Sequence, residues 1–281
     1  MTVLCKTFRK QAGFAWSRMR NGASIIMPLS EETLTETLLY EIAWAHKADP
    51  GFRVRVATKP EESLHGGDWE LWLTQGGKGI KFRVQAKRLY PNGRYKSLFS
   101  YGKDAYGNAV DLHLQTKKLI ASAKLDNSIP LYCFYNFDGG HISDWPRIQC
   151  PHKHRGASYW GCSVATASDI LAANSNELKK LLPLMTPWHK MVCVKPSSRL
   201  PDAAVDILGT KIKDDNLSEF LKEISIPEYV HRILGFELAG EDSSYLDFET
   251  LRIDRGERDG ISGVCVIDDR RKQKTHIRPN N

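Results

Sequence analysis

The spacing of apolar residues predicts three helices in the first half of the chain. Residues 1–20 mix aromatic and basic side chains and predict an amphipathic helix with a solvated basic face. A clearer helix begins after Ser30, a favourable N-cap residue. Its apolar positions, three or four residues apart, are Leu34, Leu38, Leu39, Ile42 and Ala45. Residues 111–125 predict the third helix.

Four segments have the pattern of strands. Residues 52–58 alternate between apolar and polar positions, and two further strands are predicted near 68–75 and 80–89. Residues 129–137 are continuously apolar and aromatic, which is typical of a buried strand. Together with the helices, these segments predict the order helix, three strands, helix, strand within residues 30–137.

The second half of the chain gives a weaker pattern. The whole sequence divides into three regions: an N-terminal helical extension at 1–29, a core with its elaboration at 30–195 and a helical region with a basic tail at 196–281. The remaining predicted elements are helices at 165–183, 217–224 and 227–238 and strands at 189–194 and 263–268.

Composition indicates an ordinary globular protein with a moderate basic excess. The chain has 281 residues, of which 41% are hydrophobic and 26% charged, and its formal net charge is +7. It has no apolar run near the roughly 20 residues that span a membrane, and the N-terminus lacks a signal-peptide core. Six cysteines are too few for a disulfide scaffold. We therefore expect a cytoplasmic protein without a membrane partner, and the charge is compatible with a polyanionic one.

The hairpin at 68–89 collects polar side chains on one face. Asp68 and Glu70 share a face of the first strand, and Gln85 and Lys87 share a face of the second. If 76–79 forms a four-residue loop, the register predicts that Glu70 faces Gln85 and Asp68 faces Lys87.

Two interpretations of this cluster stay open. Carboxylate oxygens hold a hard cation such as Mg²⁺, and a neighbouring lysine stabilises negative charge in a transition state. Such a site hydrolyses a phosphodiester. Alternatively, the hairpin has a solvated polar face with an ordinary cross-strand ion pair.

The order of elements, with an acid on the second strand and Gln85-Ala86-Lys87 on the third, resembles the PD-(D/E)XK nuclease superfamily. The Gln variant is similar to that of Mrr-type restriction endonucleases. The stretches EETLTE, GGDWELW, VQAKRL and PLYCFYN also resemble an uncharacterised bacterial family of predicted nucleases. The resemblance covers roughly residues 30–195. It implies an α/β fold, with an α-β-β-β-α-β core whose mixed sheet is flanked by helices, followed by a helical C-terminal elaboration.

The resemblance implies roles for particular residues. Asp68 would be the central metal ligand, Gln85 would replace the usual second acid, and the carbonyl of Ala86 would add a ligand for Mg²⁺ or Mn²⁺. Lys87 would be the catalytic lysine. Because Gln is neutral, the site would carry less charge, and we infer that Glu70 compensates.

Many members of the superfamily also take an acid from the first helix. On a helical wheel Glu32 falls inside the apolar arc and Glu36 lies at its edge, so we rank Glu32 first and Glu36 second. The alternative is that acids in a first turn simply favour the helix dipole.

The segment after the catalytic strand, residues 88–106, interleaves basic and aromatic side chains. We predict that it binds nucleic acid, with basic groups on phosphates and an aromatic ring on a base. The alternative is a packed loop that contacts no ligand. The predicted binding residues are Arg88, Arg94, Lys96, Lys103 and Tyr95.

Residues 150–162 contain zinc-type side chains in a spacing that matches no standard finger, so a loop with unrelated residues is favoured over a zinc site. These side chains are Cys150, His152, His154 and Cys162.

The sequence as a whole predicts a metal-dependent nuclease that acts on DNA rather than RNA. A role in bacterial defence against phage or other foreign DNA follows from the resemblance alone. A homodimer or a partner protein that gates the activity is compatible with the C-terminal third. Two other classes stay open: a nuclease-like nucleic-acid-binding module without turnover, and an interaction protein whose basic charge is incidental.

Overall fold

The computed structural model describes most of the chain and gives it an α/β architecture. A mixed, open, nine-stranded sheet is flanked by helices on both faces. The described residues are 2–58, 68–99, 111–146, 156–195, 197–209, 223–235, 245–247 and 261–271.

Seven α-helices and nine strands make up the described part. The helices are α1 (Val3–Ser24), α2 (Glu31–Ala45), α3 (Leu114–Leu125), α4 (Ala167–Ala173), α5 (Leu178–Leu181), α6 (Leu200–Gly209) and α7 (Glu228–Gly235). The strands are β1 (Phe52–Thr58), β2 (Asp68–Gln75), β3 (Lys78–Arg88), β4 (Ile129–Tyr135), β5 (Cys162–Thr166), β6 (Thr186–Pro187), β7 (Ile224–Ser225), β8 (Tyr245–Asp247) and β9 (Gly263–Asp269).

The predicted order of helix, three strands, helix and strand is confirmed as α2-β1-β2-β3-α3-β4. Ser30 caps α2, since its hydroxyl accepts the amide of Thr33 at 3.1 Å. The hairpin β2–β3 is antiparallel, and β4 runs parallel to β3. A parallel pair needs a crossover, and α3 provides it.

The C-terminal region is not only helical, which corrects the sequence prediction. The strand predicted at 263–268 is confirmed as β9, and it lies between β2 and β1 near the middle of the sheet. It pairs in parallel with β2 and antiparallel with β1. The full strand order is β6-β5-β4-β3-β2-β9-β1-β8, with β7 paired to one end of β3.

Two other predicted elements differ in the structure. Residues 188–192 form a 3₁₀-helix rather than a strand, because Trp188, Met191 and Val192 are buried at helical spacing. The long helix predicted at 165–183 is divided into α4 and α5, since Asn174 ends α4 in a left-handed conformation at φ 45°.

Three further predictions have mixed outcomes. The helix predicted at 227–238 is confirmed as α7, and the N-terminal helix extends to Ser24. Most of the helix predicted at 217–224 lies outside the described residues.

The two faces of the sheet have different cores. The face that carries Trp69, Leu71 and Val84 packs against α1, α2 and α6 in the largest apolar cluster. The opposite face has two smaller clusters, one beside α3 and one beside α7. Its central part, on β2 and β3, is polar, and the site predicted from the sequence falls there.

Candidate catalytic site at the carboxyl end of β3

Four polar side chains on β2 and β3 are almost inaccessible to solvent. They are Glu70, Lys81, Gln85 and Lys87, with exposures of 0%, 5%, 4% and 2%. Alternation along β3 puts Lys81, Gln85 and Lys87 on one face. Because burying polar or charged groups is costly unless they are compensated, a buried polar row of this length calls for a specific explanation.

The register of the hairpin differs from the predicted one by two residues. Gly76 and Gly77 form a two-residue turn with φ values of 63° and 78°, so Gln75 pairs with Lys78. As a result, Asp68 rather than Glu70 lies opposite Gln85.

The register was predicted wrongly because Gly79 was assigned to the loop. Gly79 already lies in β3, where a Cβ would approach the carbonyl oxygen of Leu73 to 2.7 Å. Gly79 is therefore accounted for by close packing within the strand and does not belong to the loop.

Gln85 has a buried oxygen without a partner. It pairs with Asp68 on β2 and with Tyr132 on β4. Its Oε1 accepts no hydrogen bond within the described part of the chain. An unsatisfied buried acceptor costs about 1–3 kcal/mol, so this oxygen is a candidate for contact with a bound group. The side chain of Asp68 lies outside the described residues, and only its backbone position is defined.

Glu70 is held by neighbours of its own. Its Oε1 lies 3.1 Å from Nζ of Lys81, and its Oε2 accepts hydrogen bonds from Tyr229 at 2.8 Å and from Trp72 at 3.3 Å. Nζ of Lys81 also donates to Asp126 at 2.8 Å, at the end of α3. These contacts favour a structural role for Glu70, tying β2 to α7, over the compensating metal ligation predicted from the sequence.

The acid of α2 that reaches β3 is Glu31 instead of Glu32 or Glu36. The amide of Arg88 donates to Oε1 of Glu31 at 2.9 Å, whereas Glu32 and Glu36 are exposed. The reason is the neighbour one turn later: Thr35 is buried, and its hydroxyl contacts that of Tyr135 at 2.7 Å. Residues four apart share a helix face, so Glu31 points toward β3 with Thr35. Thr35, a polar residue within the apolar arc of the helical wheel, was the sequence feature that could have identified Glu31.

The carbonyl of Ala86 faces the same side of β3 as Glu31. Successive residues of a strand direct their backbone groups to opposite neighbours. The amide of Leu89 donates to Tyr135 on β4 at 2.9 Å, so the amide of Arg88 and the carbonyl of Ala86 point away from β4, toward β2. The carboxylate of Glu31 and this carbonyl thus lie beside the position where β2 begins with Asp68.

Two cations meet one aromatic ring just beyond β3. The guanidinium of Arg88 lies 4.4 Å, and Nζ of Lys96 4.7 Å, from the ring centre of Tyr90. Neither cation has a carboxylate partner within the described ranges. Two positive charges held close together favour the binding of an anion.

The other predicted contact residues fall elsewhere. Arg94 donates to Glu177 at 2.8 Å. Tyr95, predicted to bind nucleic acid, is fully buried, and its hydroxyl donates to Asn136 at 2.5 Å. Burial raises the pKa of Tyr95 well above its ordinary value. A buried ring cannot stack on a base. Of the two tyrosines of this segment that the structure describes, Tyr90 and Tyr95, only Tyr90 is partly accessible to solvent. Lys103 lies outside the described residues.

Of the four residues of the zinc alternative, only Cys162 lies in the part of the chain that the structure describes. Cys162 is buried at the start of β5, where desolvation raises the pKa of its thiol well above the ordinary value. Cys150, His152 and His154 lie outside the described residues. Among the described side chains, no group of three or more His, Cys, Asp or Glu residues is arranged to hold a metal ion.

The chain belongs to DUF6615, a family of unknown function, whose profile matches residues 4–273. The comparison with curated proteins gives no match, and neither does the comparison with solved structures. None of the described helices has the length and apolarity needed to cross a bilayer.

Proposed function

We propose that this protein hydrolyses phosphodiester bonds of nucleic acid, most readily DNA, with the help of a divalent cation. The observation that carries the proposal is the buried, unpartnered oxygen of Gln85 opposite Asp68, two residues before the buried Lys87. The order of elements and the mixed sheet flanked by helices support it, because the resemblance to the nuclease superfamily implies both. One feature differs from the predicted core: β9 lies between β2 and β1, so the three consecutive strands β1, β2 and β3 are not all neighbours in the sheet.

The residues at this point fit a hard cation. The donors would be the carboxylate of Asp68, the amide oxygen of Gln85 and the carbonyl of Ala86, with Glu31 as the acid contributed by α2. An all-oxygen set suits Mg²⁺ or Mn²⁺ and gives a softer metal little advantage. A cation held there would polarise the phosphate and favour ionisation of the attacking water.

Lys87 would act on the reacting phosphate. An ammonium group can donate to a non-bridging oxygen and offset the charge that develops as the bond to the leaving oxygen breaks. Its nearly complete burial strengthens that interaction, because the local dielectric constant is well below that of water. Arg88 and Lys96, gathered on Tyr90, would bind the adjacent phosphates and position the strand over the site.

The experiment is a cleavage assay with four substrates: plasmid, linear duplex, single-stranded DNA and RNA. Each is incubated with Mg²⁺, Mn²⁺ or EDTA, using the wild type, Asp68→Ala and Lys87→Ala. Lys78→Ala is the matched control, because Lys78 lies on the same strand but is exposed at its far end. We expect metal-dependent cleavage that is lost in Asp68→Ala and Lys87→Ala and retained in Lys78→Ala.

Three results would contradict the proposal. Nucleic-acid binding without cleavage, surviving both EDTA and Lys87→Ala, would make the protein a binding module. Absence of any affinity for nucleic acid at moderate salt would leave an interaction protein. A cleavage activity that survives both site variants would place the chemistry elsewhere in the chain.

A further inference from the structure

The turn between α1 and α2 presents three consecutive apolar side chains to solvent. Ile25, Ile26 and Met27 are 68%, 92% and 64% exposed. Single exposed apolar residues are common on protein surfaces, but three in succession at a tight turn form a projecting apolar tip. We refer to residues 25–27 as the tip.

The backbone of the tip is strained as well as exposed. The amide of Met27 donates to the carbonyl of Gly22 and that of Ile26 to Ala23, the pattern of a helix ending that ordinarily requires glycine at its left-handed position. Ile26 occupies that position at φ 56°. A β-branched residue there is an outlier, and 92% exposure leaves Ile26 little packing to offset the strain.

The conformation of the tip is fixed by close packing. A Cβ on Gly22 would lie 2.6 Å from the carbonyl oxygen of Met27, so the last turn of α1 accepts the returning chain only because residue 22 is glycine. The fold therefore holds Ile26 outward, in a conformation unfavourable for both its backbone and its side chain. Such an outlier points to a function outside the chain's own stability.

The tip lies near the proposed catalytic site. Glu31 follows Met27 by four positions in the chain, and its carboxylate is 2.9 Å from the amide of Arg88. Counting the extended reach of that segment and of one side chain, the tip is within roughly 22 Å of the end of β3. That distance corresponds to about six base-pair steps of 3.4 Å.

We propose that the tip is a wedge that inserts between stacked bases of duplex DNA beside the cleavage site. This inference rests on the proposed function. Ile and Met are among the side chains that unstack base steps in this way. A protein partner fits less well, because a standard interface needs about 800 Å² on each side and three side chains on a turn present a narrow point. The cations on Tyr90 supply the phosphate contacts that a wedge requires, since unstacking itself is unfavourable.

The test uses duplexes that carry 2-aminopurine at successive positions, with EDTA present so that no strand is cut. Fluorescence of this base rises when it loses its stacking neighbour. The variant is Ile25→Ser, Ile26→Gly, Met27→Ser, which keeps the backbone geometry because glycine accepts a positive φ. The control is Leu125→Ser, which removes an 87% exposed apolar side chain at the end of α3.

We expect the wild type and Leu125→Ser to raise the fluorescence at one step, and the tip variant to leave it at the level of free duplex. Affinity of the tip variant should fall about tenfold, equivalent to roughly 1.4 kcal/mol. Equal signals from the tip variant and the wild type would overturn the wedge.

Two further arms separate the possible failures. If the wild type cleaves duplex but no 2-aminopurine position responds, the wedge is wrong and the nuclease stands; if it neither binds nor cleaves, both are wrong. Tip-dependent flotation with vesicles of phosphatidylcholine and phosphatidylglycerol, without a 2-aminopurine response, would assign the tip to a lipid surface.

Discussion

Gln85 is a neutral residue that, under the proposed function, would replace the usual acid of a metal site. Replacing Gln85 by Glu puts a negative charge on a buried group whose oxygen Oε1 already lacks a partner. We expect the metal-free variant to lose about 2 kcal/mol of unfolding free energy and to gain more stability from Mn²⁺ than the wild type does. Melting temperature measured across a Mn²⁺ titration checks both signs.

Gln115→Glu on α3 is the control for this experiment, because its side chain is only half-buried. It should change neither the stability nor the Mn²⁺ response. If Gln85→Glu gives a metal-free stability and a Mn²⁺ response equal to those of the wild type, Gln85 does not line a cation site.

Glu31 provides the sharpest contrast between sequence and structure. Glu31→Gln keeps an oxygen that can accept from the amide of Arg88 but removes the charge. We expect its cleavage rate to fall at least about tenfold with unchanged stability, as for groups that complete a metal site. Glu32→Gln and Glu36→Gln, which alter exposed side chains of the same helix, should cleave at the wild-type rate. A slower rate in Glu32→Gln or Glu36→Gln, with Glu31→Gln at the wild-type rate, would favour the acid predicted from the helical wheel.

His46 links stability to pH. Burial lowers the pKa of its imidazole, although Asp49 at 2.7 Å from Nδ1 opposes the shift. The unfolded chain therefore takes up the proton first, near pH 6.5, and the unfolding free energy should fall as the pH drops below that value. Urea midpoints across pH 5–8 should show a steeper acid loss for the wild type than for His46→Gln. His231→Gln, at an exposed position, should retain the steeper loss.

At the scale of elements, the ending of α1 has a conformational penalty that one substitution removes. Ile26→Gly places glycine at φ 56°, where a side chain costs about 1–2 kcal/mol. After allowing for the greater freedom of glycine in the unfolded chain, we expect the unfolding free energy to rise by about 0.5–1 kcal/mol. Ile25→Gly is the control, since its φ of −108° gives glycine no advantage. A loss of stability in Ile26→Gly would mean that the side chain packs usefully in solution.

The elements that could be predicted from the sequence are those whose signal is local. The cap at Ser30 and the apolar spacing after it identified α2, and alternation identified the hairpin. The register was missed because Gly79 is required by contact with the neighbouring strand, which the sequence does not display. The sequence around Tyr90 and Tyr95 does not show which ring is buried. The structure shows that Tyr95 is buried and donates a hydrogen bond to Asn136.

At the scale of the whole molecule, β9 decides whether residues 1–195 can fold alone. β9 pairs with β2 on one side and β1 on the other, and its residues Val264 to Ile267 contribute to the cores on both faces. A chain ending at residue 195 leaves β1 without either of its described partner strands and leaves β2 paired only with β3, so we expect aggregation and no cooperative thermal transition by circular dichroism. A chain ending at Arg271 keeps β9 and should melt like the full protein. A cooperative transition in the shorter chain would show that β1 and β2 can close on each other, as three consecutive neighbouring strands would.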